Sequence, residues 1–225
     1  MKNSEFGFSL AEVLITLGII GVVAALTMPS LIQSYKERET VARVKKFYSM
    51  INQAFLLAIN ENGPVDEWDF AEVDQETGIN TSNKFFEYLR PYLKIAKDCG
   101  TQSGCISDAT YVRLNGEAQM AYGTNKVYYK VILIDGSYMW MRQVYGTGFH
   151  CNVFDGGYEN SCGGMWIDVN GKQPPNTIGK DTFAFAILKD RIMPFKVNDC
   201  ELGKAGWGCT AYILSNGNMN YLKNK

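Results

Sequence analysis

Residues 13–28 read VLITLGIIGVVAALTM, apolar apart from two threonines and two glycines. Counted from Leu10, the run is long enough to cross a hydrocarbon core of about 30 Å as a helix. A helix that is apolar all round must be surrounded by lipid or by copies of itself. One residue conflicts with that surface: Glu12, at its head. A carboxylate in a bilayer costs roughly 2.5–3.5 kcal/mol on insertion scales and as a rule has a functional partner. No basic residue stands near it in the same helix. A break in the chain between Gly7 and Phe8 would create one, the new amino group of Phe8. That amine could meet Glu12 within one chain, or between neighbouring helices staggered in a bundle.

The segment that follows continues as helix. Val41, Val44, Tyr48, Ile51, Phe55 and Ala58 recur at alternating steps of three and four, which puts them on one face. The charges of residues 36–46 fall mainly elsewhere. Asn62-Gly63-Pro64 is a stop signal, a pair that tolerates left-handed backbone followed by a residue that cannot continue a helix. One helix is therefore expected over residues 8–62, roughly 80 Å long. Its first half is apolar all round, its second half amphipathic, and Pro29 between them should kink or loosen it.

The string GFSLAE followed by VLITLGIIGVVAALTMPSLI resembles the N-terminus of type IV pilins and of the pseudopilins of type II secretion systems. In that family a short polar leader is cut after a glycine by a membrane-embedded prepilin peptidase. The exposed residue, usually Phe, is N-methylated. A glutamate stands at the fifth mature position, and a proline often breaks the helix near the twenty-second. Gly7, Phe8, Glu12 and Pro29 hold those positions here. The resemblance implies a leader at 1–7, processing at Gly7 and Phe8, assembly through Glu12 and a helix kink at Pro29. It also implies a single-pass precursor in the cytoplasmic (inner) membrane with an extracytoplasmic head, which later joins a periplasmic or extracellular filament. The implied partners are other pilin or pseudopilin subunits, the prepilin peptidase and an assembly platform in the inner membrane.

Other readings of the N-terminus stay open. The small residues of VVAALTM would suit a conventional signal peptide cut near residue 28. A plain signal anchor holding a binding or adhesion protein that never polymerises needs only the apolar helix. The basic residues also lean the other way. The leader carries only Lys2, and more Lys and Arg follow the span, which on the positive-inside rule favours the reverse orientation.

All six cysteines lie beyond the helix: Cys99, Cys105, Cys151, Cys162, Cys200 and Cys209. An even number at short separations, behind a membrane-targeting segment, suggests disulfides and an oxidising compartment. No pair has zinc-ribbon spacing. Six cysteines allow 15 pairings; the short loops 99–105, 151–162 and 200–209 are the simplest. The rest of residues 63–225 reads as one head. SNKFFEYLRPYLK suggests a short helix capped by Ser82 or Asn83, burying Phe85, Phe86 and Leu89 and limited by Pro91. NKVYYKVILIDGSYMWMRQVYG is a hairpin about Asp135-Gly136, with Val127, Tyr129, Val131 and Leu133 on one face. TYVRLNG, GMWIDVNG and DTFAFAILKD are further strand candidates. The glycine-rich stretch 146–164 reads as an irregular loop, and residues 212–214 as strand or short helix. The expected fold is α+β: a long N-terminal α-helix, transmembrane in its first half, packed on a disulfide-containing antiparallel β-sheet head.

Chemistry in the head is sparse. Asp168, Asn170 and Asp181 in DVNGKQPPNTIGKD are oxygen donors that could hold calcium, but the stretch lacks the EF-hand pattern and reads better as a turn held by Asx side-chain hydrogen bonds. His150 is the only histidine, with no nucleophile or carboxylate pointed to it. No nucleophile elbow, phosphate loop or dinucleotide fingerprint occurs. A formal net charge of -1 offers no pull toward nucleic acid, and the mixed signs of residues 36–46 suit a solvated helix face rather than DNA uptake. The aromatic content, 13%, suits a sheet core better than a carbohydrate-binding face. The expectation is a non-enzymatic structural subunit of a type IV pilus or type II secretion pseudopilus, without a resident cofactor.

Overall fold

The computed structural model of the protein describes residues 9–68, 79–143, 151 and 153–223. The chain forms two compact units, Met1–Glu39 and Thr40–Lys225. One helix, α1, runs over Leu10–Asn62. It starts where the carbonyl of Ser9 accepts the first helical bond, from the Val13 amide. It ends where Gly63 takes a φ of 77° and its N–H returns to the Ile59 carbonyl. Pro29 lies inside it and withdraws one donor from the ladder. The hydroxyls of Thr16, Thr27 and Ser30 donate to the carbonyls of Val13, Val23 and Thr27, so these side-chain hydroxyls of the apolar stretch are satisfied within the helix.

In the unit Thr40–Lys225, α1 buries Val41, Val44, Phe47, Ile51, Ala54, Phe55 and Ala58. This face is broader than the expected stripe: Phe47 and Ala54 join it, while Tyr48 is half-buried and stacks on Phe185 at 5.8 Å. Helix α2 spans Ile79–Leu89. It buries Phe85, Phe86 and Leu89, as the sequence suggests, but neither expected cap is one. Ser82 and Asn83 sit inside the helix, and the Ser82 hydroxyl instead donates to the Val127 carbonyl at 2.8 Å. The helix passes into a 3-10 turn, Arg90–Tyr92, at Pro91.

The strands are β1 (Ile95–Gly100), β2 (Tyr111–Val112), β3 (Ala118–Met120), β4 (Tyr129–Leu133), β5 (Tyr138–Gln143), β6 (Val153–Asp155), β7 (Tyr158–Asp168), β8 (Thr182–Leu188) and β9 (Ile192–Pro194). Among the described residues they make one antiparallel sheet, in the order β1-β4-β5-β7-β8-β9 with β6 added to β7, and a separate β2-β3 ribbon. The hairpin about Asp135-Gly136 forms β4 and β5, though Val127 lies outside the strand.

Both sides of the sheet are covered. Val131, Met139, Met141, Met165, Ile167 and Phe185 face the α1 core. The alternate residues Tyr138, Trp140, Trp166, Ala184 and Ala186 face a second, aromatic core closed by Tyr111, Tyr122, Tyr128 and Phe195. Cross-strand register puts Trp140 opposite Trp166 and Trp166 opposite Ala184.

The expected irregular loop at 146–164 is corrected in its described part. Residues 153–164 contribute β6 and the first seven residues of β7, buried from Ser161 onward, and the two strands are joined by Gly156 and Gly157 at φ 59° and 90°. A Cβ on Gly157 would run into the Lys196 carbonyl, so glycine there is needed for the turn rather than a sign of disorder. Gly164 likewise lies under the Trp166 ring, in the middle of the sheet. Residues 144–150 and 152 lie outside the described residues. Residues 212–214 are helical, within α3 (Cys209–Asn216). Disulfides join Cys99 to Cys105, Cys151 to Cys162, and Cys200 to Cys209.

Candidate functional site

Two places hold the residues that the sequence singles out. The first is the start of α1. Gly7 and Phe8 lie outside the described residues. Glu12 is engaged. Its Oε2 accepts the Ser9 backbone N–H at 2.8 Å and the Ser9 hydroxyl at 3.0 Å, and the Ser9 Oγ lies 3.3 Å from the Glu12 amide. This is a reciprocal capping box: each side chain serves the backbone of the other where a helix leaves its N–H groups unpaired. The signal S-x-x-E stands in the sequence as Ser9-Leu10-Ala11-Glu12. Reading Glu12 for its charge alone passes over it. The helix beyond is apolar and bare, long and apolar enough to cross a membrane, with none of its most apolar stretch buried.

The amphipathic half of α1 is tied to the head by more than its apolar face. Lys46 Nζ meets Asp135 Oδ2 at 3.0 Å, and the Arg43 guanidinium donates to the Val169 carbonyl at 2.9 Å. Some of the basic residues of 36–46 thus address the β4–β5 turn and the end of β7. His150 lies outside the described residues.

The second place is the stretch after β7. Asp168, Asn170 and Asp181 do come together, and Asp168 and Asp181 are buried. Asp168 Oδ1 accepts the amides of Asn170 and Gly171 at 3.1 and 3.0 Å, and its Oδ2 accepts the Tyr111 hydroxyl at 2.8 Å. Asp181 Oδ1 accepts the Thr177 amide at 2.6 Å and the Thr182 hydroxyl at 3.3 Å. Its Oδ2 accepts the Asn176 amide at 2.8 Å and the Asn170 side-chain amide at 3.1 Å. Every carboxylate oxygen therefore faces an N–H or O–H donor. The pair clamps the loop 170–181, which in turn bonds to β2 through Val112. A cation would have to displace those donors, and the carboxylates as they stand do not fit one. Two carboxamide oxygens nearby in sequence, Asn170 Oδ1 and Asn176 Oδ1, are buried without a hydrogen-bond partner. Burial, and then the negative charge of Asp181, pushes Asp168 up to about 8. Burial raises Asp181 too. Tyr111 is raised by burial and then by the charge of Asp168.

One buried group had no signal in the sequence. Lys130 is fully buried on β4 and donates to the carbonyls of Thr101 and Asn125 at 3.1 and 2.9 Å. It pins the Cys99–Cys105 loop to the sheet. Loss of solvent brings its amine down to about 8.

Residues 2–28 match a family profile described as the prokaryotic N-terminal methylation motif. That motif is the prepilin-type signal of type IV pilins and pseudopilins, so the chain is pilin-like at its N-terminus and α+β pilin-like in its fold. No curated protein and no solved structure matches the chain. A second profile covers residues 30–225, most of the molecule, and by that match the chain belongs to the family of unknown function DUF6613.

Proposed function

We propose that the protein is a structural subunit of a type IV pilus or type II secretion pseudopilus, without enzymatic activity. Prepilin peptidase cuts the precursor between Gly7 and Phe8 in the inner membrane, with the head outside, and the new Phe8 amine is methylated. The apolar surface of α1 then exchanges lipid for the same helix of other subunits. Glu12 pairs with the Phe8 amine of a neighbour, so that each charge taken out of water acquires a counter-charge and the axial stagger of the bundle is set. The observation that carries this reading is the combination at one end of the chain: a methylation motif at 2–28, and a bare apolar helix with a single carboxylate at its head.

The test is Glu12→Ala, expressed in cells that assemble the filament. The variant should keep a folded head and reach the membrane, while its content in sheared filaments falls at least tenfold. Filaments that contain the variant at the wild-type level would overturn the assembly role of Glu12.

A further inference from the structure

The apolar surface of α1 has a sharp far end. Every large apolar side chain from Leu10 to Ile32 is exposed, and no charged residue stands between Glu12 and Lys36. Then comes Tyr35, 68% exposed, followed by Lys36 and Arg38, both exposed. The acids beside them are occupied. Glu37 accepts the Gln33 side-chain amide at 2.9 Å, and Glu39 also has a partner. Lys36 and Arg38 have none among the described residues. All of these residues lie in the unit Met1–Glu39. We propose that Lys36 and Arg38, with the Tyr35 ring, form a collar on α1 that binds the headgroups of anionic phospholipids. The collar requires only that α1 crosses a bilayer, so it stands apart from filament assembly.

Length and charge carry the argument. The uncharged run from Val13 to Ile32 rises about 30 Å as a helix, the thickness of a hydrocarbon core. Seated across that core, α1 leaves Glu12 at one edge and brings Tyr35, Lys36 and Arg38 within about 10 Å of the other. Helical side chains lean toward the N-terminus of their helix, so both bases lean back toward the bilayer. Their alkyl stems can lie along the apolar helix surface while the cationic heads reach the phosphates. Tyrosine, with an apolar ring and a polar tip, suits the same layer. Because the neighbouring acids are occupied, the charge left to this layer is positive. Its complement is a lipid with a net negative headgroup rather than a zwitterionic one. The bases that follow the span therefore have a partner at the membrane surface itself, beyond any part in setting topology.

The experiment uses the full precursor, expressed without prepilin peptidase and reconstituted in phosphatidylcholine bilayers. Trace phosphatidylglycerol or phosphatidylcholine, each carrying a nitroxide near the end of one acyl chain, is the probe. Electron paramagnetic resonance reads the fraction of each lipid held at the protein. At low salt the wild type should prefer phosphatidylglycerol at least about twofold, a single base near an anionic surface being worth about fivefold. Lys36→Gln combined with Arg38→Gln should bring the ratio to about 1 and leave the melting temperature of the head unchanged. High salt should do the same to the wild-type ratio. Lys36→Arg, which keeps the charge, should keep the preference. No preference in the wild type, or one that survives the double variant, would overturn the collar. So would its loss in Lys2→Gln alone, which would put the headgroup contact at the other end of the span. A Met1 start in the presence of the peptidase would overturn the filament reading and leave the collar standing.

Discussion

Tyr111 donates its hydroxyl to Asp168 at 2.8 Å, and both side chains are fully buried, 57 residues apart in the chain. The bond joins the outer aromatic core to the clamp on loop 170–181. It has a consequence for pH. Asp168 rises from 3.8 to about 8 on folding, so between those values the folded head holds a proton that the unfolded chain has released. Its contribution to stability is present at low pH and is lost as pH climbs toward 8. Lys130 acts in the next window. Its value falls from 10.5 to about 8, so there the unfolded chain binds the extra proton and stability rises with pH. Thermal melts of the detergent-solubilised protein should therefore pass through a minimum near pH 8. Asp168→Asn should flatten the acid side while keeping the fold. An asparagine oxygen can accept the Asn170 and Gly171 amides, and the Tyr111 hydroxyl can turn from donor to acceptor. A curve for Asp168→Asn with the wild-type slope below pH 8 would show that Asp168 is not the group responsible.

The docking of α1 on the sheet should depend on its apolar face far more than on its ion pair. Phe55 is fully buried and lies in the aromatic group with Trp68, whose ring centroid is 6.1 Å away. Phe55→Ala removes that contact and leaves a cavity, at a cost of about 3–5 kcal/mol. Lys46 meets Asp135 at 3.0 Å, but its side chain is 65% exposed, so Lys46→Ala should cost less than about 1 kcal/mol. Denaturant unfolding of the two variants measures the ratio directly. Comparable losses would mean that the helix is held electrostatically.

Calcium should leave the melting temperature of the head unchanged. The four oxygens of Asp168 and Asp181 already accept hydrogen bonds, and among the described residues no group of three or more His, Cys, Asp or Glu could hold a metal ion. Melts in calcium and in chelator make the comparison. A calcium-dependent rise that Asn176→Ala abolishes would show instead that the unpartnered Asn176 oxygen is a ligand.

What could be read from the sequence follows how local each cause is. The helix is legible because its periodicity, its stop at Gly63-Pro64 and its apolar half are all written within the segment. The β4–β5 hairpin is legible because Asp135-Gly136 states its own turn. The end of β7 is legible in GMWIDVNG, but its start, from Tyr158 to Gly163, lies in a glycine-rich stretch that reads as loop. The Trp166 ring lying over Gly164 explains why glycine is tolerated where the two parts meet. The Asp168 and Asp181 turn is visible as a turn, but its buried partner Tyr111 comes from the distant β2 ribbon. Lys130 gives no sign of burial, since its acceptors are backbone carbonyls of other segments. The capping box of Ser9 and Glu12 is the opposite case: both partners lie within one helical turn, so its S-x-x-E pattern is wholly local.

The most direct test of the account is the N-terminal sequence and intact mass of the membrane-extracted protein, expressed with a prepilin peptidase and, separately, without one. Without the peptidase the chain should keep an intact Met1 start. With it, the chain should begin at Phe8 and carry one added methyl group. A Met1 start in both samples would contradict it in favour of a non-polymerising anchor, and a start near residue 28 would contradict it in favour of a conventional signal peptide.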